Sequence, residues 1–237
     1  MQTKNISIII PTINEVEGIR RVIKEIQTIG LETLGYRYEI LVVDGGSDDG
    51  TIEVAKKLGA KLIIQPNRGY GKAYKTGFPY ARGDIIVTLD GDGQYPPEFI
   101  PRLVKILIDG NYDFITTNRF AYMEPGSMTF LHKVGNKVLS LLIMMLFGIN
   151  LKDSQSGMWV FRKDVLGHII PDSNGMSFSE EIKIKAFLNA KSIEIPSFYR
   201  RRVGKSKLKT FKDGISNMIY LFVLWLKLRL TKRQDKL

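Results

Sequence analysis

The chain has 237 residues and 44% hydrophobic content, enough for one domain with a sizeable core, alone or with a small appendage. It contains no cysteine, which excludes disulfides, thiolate metal sites and a cysteine nucleophile, and its only histidines are His132 and His168, which argues against a histidine relay. Thirty-five basic against 24 acidic residues give a net charge of +11, which calls for an anionic partner: nucleotide, nucleic acid or acidic lipid.

Met1 to Asn5 runs straight into Ile6-Ser7-Ile8-Ile9-Ile10, a β-branched strand that ends at Pro11, so no signal peptide is expected. After the loop Thr12 to Glu15, apolar residues at Ile19, Val22, Ile23 and Ile26 predict a helix over 17–29. A strand over 38–43 closes on Asp44-Gly45-Gly46-Ser47-Asp48-Asp49-Gly50-Thr51. A helix over 52–58, a strand over 61–64 and a helix over 70–81 follow. This alternation predicts a doubly wound, mostly parallel sheet, in which ligands gather at the carboxyl ends of the strands. Pro11, Asp44, Gln65 and Asp90 fall on that rim. Asp44 could accept from a base or ribose, and Arg68 and Lys72 in Asn67 to Lys72 could meet phosphate or stay solvated.

The most informative stretch is Asp84 to Pro97. The strand Ile85 to Leu89 breaks at Asp90-Gly91-Asp92-Gly93-Gln94, where two carboxylates one residue apart can converge on one cation while Gly91 permits a tight turn. Gln94 adds a neutral oxygen. Such hard donors suit Mg2+ or Mn2+, the usual companions of a diphosphate. The competing reading of a lone Asp-x-Asp is a capping turn.

Taken in order, IIIPTINE, VVDGGSDDGT, NRGYGKA, ARGDIIVTLDGDGQYPPE, DSQSGMWVFR and RRRVGKSKL resemble the family 2 glycosyltransferases of the GT-A fold, and among them the dolichyl-phosphate mannose synthase group. The resemblance spans about residues 5 to 208. One departure is Gly45, where the family usually carries a second acid. The implied fold is a Rossmann-like α/β GT-A domain with a mixed, mainly parallel sheet and amphipathic membrane-interface helices.

By resemblance, Pro11, Ile13 and Glu15 flank the nucleotide base, with Val42 and Asp44 opposite. Asp90, Gly91, Asp92 and Gln94 match the metal and diphosphate site. Arg119 matches a position near the acceptor phosphate, and Asp153, Gln155, Ser156 and Gly157 an acceptor-side loop. Glu180 or Glu181 matches an acid deeper in the sugar pocket. Arg201, Arg202, Ser206 and Lys207 match a mobile basic loop over the phosphates, so that Asp90, Asp92, Arg119, Arg202 and Lys207 form the expected catalytic set. Chemically, a phosphate acceptor is already an anion and needs no general base, but it does need cations to hold two phosphate-bearing substrates together.

Val138 to Phe147 is short for a membrane span of about 20 residues, and with Lys133 and Lys137 upstream it suits an interfacial helix at about 131–149. Met218 to Leu226, followed by Lys227, Arg229, Lys232 and Arg233, reads as a basic interfacial anchor. The expected layout is a catalytic domain over 1–210 and an anchoring helix over 211–237, peripheral on the cytoplasmic face of a membrane. The expected activity is inverting, metal-dependent transfer of a hexose from a GDP- or UDP-sugar to polyprenyl or dolichyl phosphate. Mannose leads, with glucose and N-acetylglucosamine as alternatives. Competing readings are a glycan or lipid-linked sugar acceptor, with Asp153 or Glu180/Glu181 as base, and a silent nucleotide-binding membrane adaptor. No nucleic-acid module is recognisable.

Overall fold

The computed structural model describes residues 4–204 and 210–234. Strand β1 (Lys4–Thr12) leads to α1 (Val16–Thr28), β2 (Tyr36–Asp44), α2 (Thr51–Lys57), β3 (Lys61–Ile64), α3 (Tyr70–Gly77) and β4 (Ile85–Thr88). Helix α4 (Ile100–Asp109), β5 (Phe114–Met123), α5 (Phe130–Phe147), β6 (Trp159–Arg162), the single turn α6 (Leu166–Ile169), α7 (Phe178–Asn189), β7 (Ser192–Tyr199) and α8 (Thr210–Gln234) complete the fold. Helix α3 stops short of the expected Ala81, and the chain tightens into a 3-10 turn at Phe78–Tyr80, where Pro79 has no N–H to extend an α-helix.

The seven strands lie in the order β3-β2-β1-β4-β6-β5-β7. β1, β2, β3 and β4 are mutually parallel, β6 runs antiparallel between β4 and β5, and β5 pairs in parallel with β7. The sheet is therefore mixed and mainly parallel, as expected of a GT-A fold. Successive crossovers leave β1 in opposite directions, toward β2 on one side and β4 on the other, and the crevice at such a reversal is where an open α/β sheet takes its ligand.

One apolar layer lies under α1, α2 and α4, around Ile8, Ile19, Ile23, Val87 and Leu103. The other lies under α3 and α7, built on Tyr74, Phe78, Trp159, Phe161 and Phe178. A third, smaller cluster joins α5, α7 and α8 through Leu139, Ile143, Ile184, Leu221 and Leu224. Helix α8 thus docks on the body of the protein. It leaves Ile215, Ile219, Phe222, Val223, Leu226 and Leu230 exposed as a stripe at helical spacing.

Helix α5 is long and apolar enough to cross a membrane by length and composition, yet one face is fixed to the domain. Thr129 caps its start, Oγ1 accepting from the His132 amide at 3.2 Å, and Asn136, Leu139, Ser140 and Ile143 are buried. The opposite face, Phe130, Val134, Val138, Leu141 and Met145, is bare.

Candidate active site

The Asp90-Gly91-Asp92 turn sits where β4 ends, at the reversal in strand order. Helix α1 presses directly on it at Gly18, where a Cβ would lie 2.3 Å from the Gly91 carbonyl oxygen, so only glycine lets the helix approach. Asp90 faces the crevice, half-buried, with the Tyr70 hydroxyl 3.4 Å away. Burial first, and the neighbouring Asp92 carboxylate second, push Asp90 up to about 7. Asp92 is buried. Its Oδ1 accepts from the Gln94 amide at 3.0 Å and its Oδ2 from Arg202 Nη1 at 2.8 Å.

Arg202 forks between Asp92 and Glu15, binding the latter through Nη2, so three separated chain segments meet on one guanidinium. Asp90 and Asp92, hard carboxylates one residue apart at the end of β4, are a donor set suited to Mg2+ or Mn2+, and Arg202 already sets a positive charge on Asp92. Among the described residues no third His, Cys, Asp or Glu joins them closely enough to complete an all-protein metal site. The remaining coordination positions would fall to diphosphate oxygens and water.

The basic segment after β7 is tied to this turn. The Arg200 amide donates to the Gln94 carbonyl at 2.9 Å and the Val203 amide to the Asp92 carbonyl at 3.0 Å. Gln94 locks the pair. Its Nε2 donates to Ser127 O and Arg200 O, both at 3.1 Å, while its Oε1 accepts from the Tyr199 hydroxyl at 2.8 Å. In this structure the Gln94 amide fastens the β7 tail to the acidic turn. Arg201 points elsewhere, to Pro125 O at 2.7 Å. Ser206 and Lys207 lie outside the described residues.

The nucleotide-side residues divide. Pro11 and Ile13 line the end of β1, half-buried, and Lys72 opens α3, its side chain half-exposed. Val42 is wholly inside the core, near the end of β2. Asp44 is also wholly buried, its carboxylate accepting from Thr12 Oγ1 (3.0 Å), Gly46 N (2.8 Å), Ser47 N (2.7 Å) and Ser47 Oγ (2.5 Å). With four donors on its carboxylate, Asp44 shapes the β2–α2 loop.

Below the acidic turn runs the loop Asp153 to Gly157. Asp153 is a bidentate partner of Arg119, with Nε to Oδ2 at 2.7 Å and Nη2 to Oδ1 at 2.8 Å, and it also receives the Arg119 amide and Asn136 Nδ2. Burial would raise this carboxyl, but the guanidinium outweighs it and holds Asp153 at about 2. Arg119 stacks on Tyr199 and is itself nearly enclosed, with its guanidinium paired to Asp153. The Ser156 carbonyl takes three donors: Trp159 Nε1 (2.7 Å), Ser179 Oγ (3.1 Å) and Lys183 Nζ (2.7 Å). Gly157 is pinned by Tyr95 Oη at 2.6 Å and Thr88 Oγ1 at 2.7 Å, and lies against Asp90.

The two glutamates of α7 part company. Glu181 accepts from the Asp172 and Ser173 amides, Lys185 Nζ and the Tyr220 hydroxyl of α8, a structural clamp between α7, the turn before it and α8. Glu180 is fully buried; Gln155 Nε2 binds its Oε1, while its Oε2 has no partner. Burial pushes Glu180 up to about 8, and lowers its neighbour Lys183 to about 7. On its other side Gln155 meets Asn217 Nδ2 of α8 at 3.4 Å.

Tyr70, Tyr95, Tyr199, Asn136, Lys183 and Asn217 were not foreseen. Tyr95 carried a signal, standing next to the Asp-x-Asp-x-Gln run. The others lie on elements that look ordinary until folded.

An open mixed sheet, an acidic turn at its switch point and a basic strand tail laid across that turn define an open α/β fold with its ligand crevice at the switch point. Residues 7–170 match the family described as "Glycosyl transferase family 2", and the chain belongs to it: this is a family 2 glycosyltransferase. The low-salt glycan biosynthesis hexosyltransferase Agl6 of Haloferax volcanii is 34% identical over 223 residues, covering 92% of this chain and 53% of its own length, so the chain spans about half of that relative. The dolichyl-phosphate hexose transferase of the same organism is 33% identical over 211 residues, 89% of each protein. Glucosyl-3-phosphoglycerate synthase from Mycobacterium tuberculosis, crystallised with Mn2+, UDP-glucose and phosphoglyceric acid, superposes with a TM-score of 0.73 at 21% identity, covering 92% of this chain and 79% of its own. That likeness establishes the GT-A fold.

Proposed function

We propose that the chain is an inverting, metal-dependent hexosyltransferase that moves a hexose from a nucleotide sugar onto a polyprenyl phosphate of the dolichyl type. It would work at the cytoplasmic leaflet of a membrane. The observation that carries the choice of acceptor is the state of the acids around the site. A hydroxyl acceptor needs a general base, and the candidates are committed: Asp153 is clamped by Arg119 and held at about 2, Glu181 is tied by four donors, and Glu180 is sealed from solvent. A phosphate monoester brings its own anionic oxygen. The full-length likeness to a dolichyl-phosphate hexose transferase supports the same acceptor.

Asp90 and Asp92 would hold Mg2+ or Mn2+, which when bound neutralises the departing diphosphate. Arg202, held over Asp92 by the stitched 199–203 segment, would bind the same phosphates bidentately once released from its carboxylates. Glu15, Pro11, Ile13 and Lys72 would border the remaining donor cleft. The bare stripes of α5 and α8, on adjoining helices, would sink into the acyl boundary, and the positive charge of the chain favours anionic lipid.

The test is direct. The purified chain is incubated with labelled GDP- or UDP-hexose, Mg2+ or Mn2+, and either dolichyl phosphate or a lipid-linked sugar. An acid-labile monophosphate glycolipid is the expected product. Label entering only the sugar acceptor would overturn the reading.

A further inference from the structure

Arg202 is held by more than one bond of its own. On either side of it the backbone is hydrogen-bonded to the acidic turn, by Arg200 N to Gln94 O at 2.9 Å and Val203 N to Asp92 O at 3.0 Å. Arg200 is braced by Glu25 and Glu98. Between those anchors the Arg202 guanidinium sits on Asp92 Oδ2 at 2.8 Å and on Glu15. Its Nε is buried with no hydrogen-bond partner. The guanidinium covers Asp92 Oδ2, an oxygen that a divalent cation held by Asp90 and Asp92 would use, and it leaves one N–H aimed at nothing. Both features make sense if the side chain has a second position. Arg202 is always charged, so it cannot yield the site by losing a proton. It can only be displaced.

We propose that Arg202 is a resident counter-ion for Asp92, which a divalent cation must displace, so that metal alone binds weakly and metal with a nucleoside diphosphate binds well. This rests on the metal and diphosphate reading of the site given above. The thermodynamic reason is differential binding. A bare cation entering beside Asp92 breaks the Arg202 bond and leaves the guanidinium next to a like charge. A diphosphate arriving with the cation offers the displaced fork, and its unpaired Nε, new anionic oxygens. Metal and nucleotide therefore become positively coupled, each raising the affinity of the other by the same factor. The donor complex would assemble as a unit, and free metal would not hold the turn in its loaded form.

The experiment titrates the full chain with Mn2+, following the free ion by electron paramagnetic resonance, with and without UDP or GDP. In Arg202→Gln, Mn2+ alone should bind at least about tenfold tighter than in the wild type, a gain of about 1.4 kcal/mol, and the coupling factor with nucleotide should fall by about the same amount. Arg202→Lys keeps the charge but not the fork, so its Mn2+ affinity should fall between those of the wild type and Arg202→Gln. Equal Mn2+ affinity in the wild type and Arg202→Gln, both folded by circular dichroism, overturns the proposal. The wild type provides a check that needs no variant: saturating Mn2+ without nucleotide should speed phenylglyoxal modification of Arg202 several-fold, and no acceleration also overturns it. Absence of Mn2+ binding in every form, nucleotide included, removes the metal site and the proposal together. An unchanged Mn2+ affinity beside intact glycosyl transfer refutes the counter-ion and leaves the transferase reading standing.

Discussion

Gly157 offers the sharpest test of how the acidic turn is supported. A Cβ built there would lie 2.6 Å from the Tyr70 hydroxyl and 3.1 and 3.2 Å from the two Asp90 carboxylate oxygens, where ordinary contact starts near 3.4 Å. Gly157→Ala must therefore open a gap of about 0.8 Å on the tyrosine side and a few tenths of an ångström on the carboxylate side. The glycine cannot retreat. Its amide is held by Tyr95 at 2.6 Å, its carbonyl by Thr88 at 2.7 Å, and the preceding carbonyl by three donors. The movement falls on Tyr70 and Asp90. Overpacking of this size costs about 1–3 kcal/mol of stability, and misplacing a reacting group by about 1 Å costs about 10²-fold in rate. We expect kcat/KM for glycosyl transfer to fall about tenfold or more, short of the 10²-fold that a full 1 Å shift costs, while Tm drops by only about 3–10 °C. Tyr70→Phe removes the closest clashing atom, so the double variant should recover much of the loss. Activity within about threefold of the wild type, or a double variant no better than Gly157→Ala, would refute the proposed support of Asp90 by the Gly157 wall.

Two further predictions concern the buried acid and the bare helices. Between about pH 4.5 and 8 the folded state keeps a proton on Glu180 that the unfolded chain has lost, so the wild type loses stability as pH rises, by up to about 1.4 kcal/mol per unit. Glu180→Gln lacks this dependence and should gain on the wild type from pH 5 to 7.5 in urea unfolding; a flat difference would contradict it. On the surface, replacing Phe130, Leu131 and Met145 together by Ser removes exposed side chains worth about 1.5 kcal/mol each when buried. Flotation with anionic vesicles should weaken about 100-fold or more with Tm unchanged, and undiminished flotation would place the membrane contact elsewhere. Deleting α8 would be a poorer test, since Leu221 and Leu224 cover Leu139, Ile143 and Ile184.

Much of this protein is written locally. The β-branched runs Ile6 to Ile10 and Ile85 to Leu89, the 3.6-residue spacing of Ile19, Val22, Ile23 and Ile26, and the glycine breaks after each strand depend only on near neighbours. They yield the alternating sheet and the position of Asp90 and Asp92 at a strand end. The motif order also carried the family. What a chain cannot state locally is which lone pairs remain open once distant segments arrive. Asp44, Gln94, Arg119 and Glu181 are polar groups of the right kind in the right neighbourhood. Each is taken by partners far away in sequence or on its own loop: Thr12 and Ser47, Tyr199 and Arg200, Asp153, and Tyr220. A buried hydrogen-bonding group must be paired, and long-range packing decides with what. Sequence by itself determined the sheet, the acidic turn and the excess of positive charge; only the tertiary structure decided which of those acids still face the cleft, because that depends on partners brought together by folding.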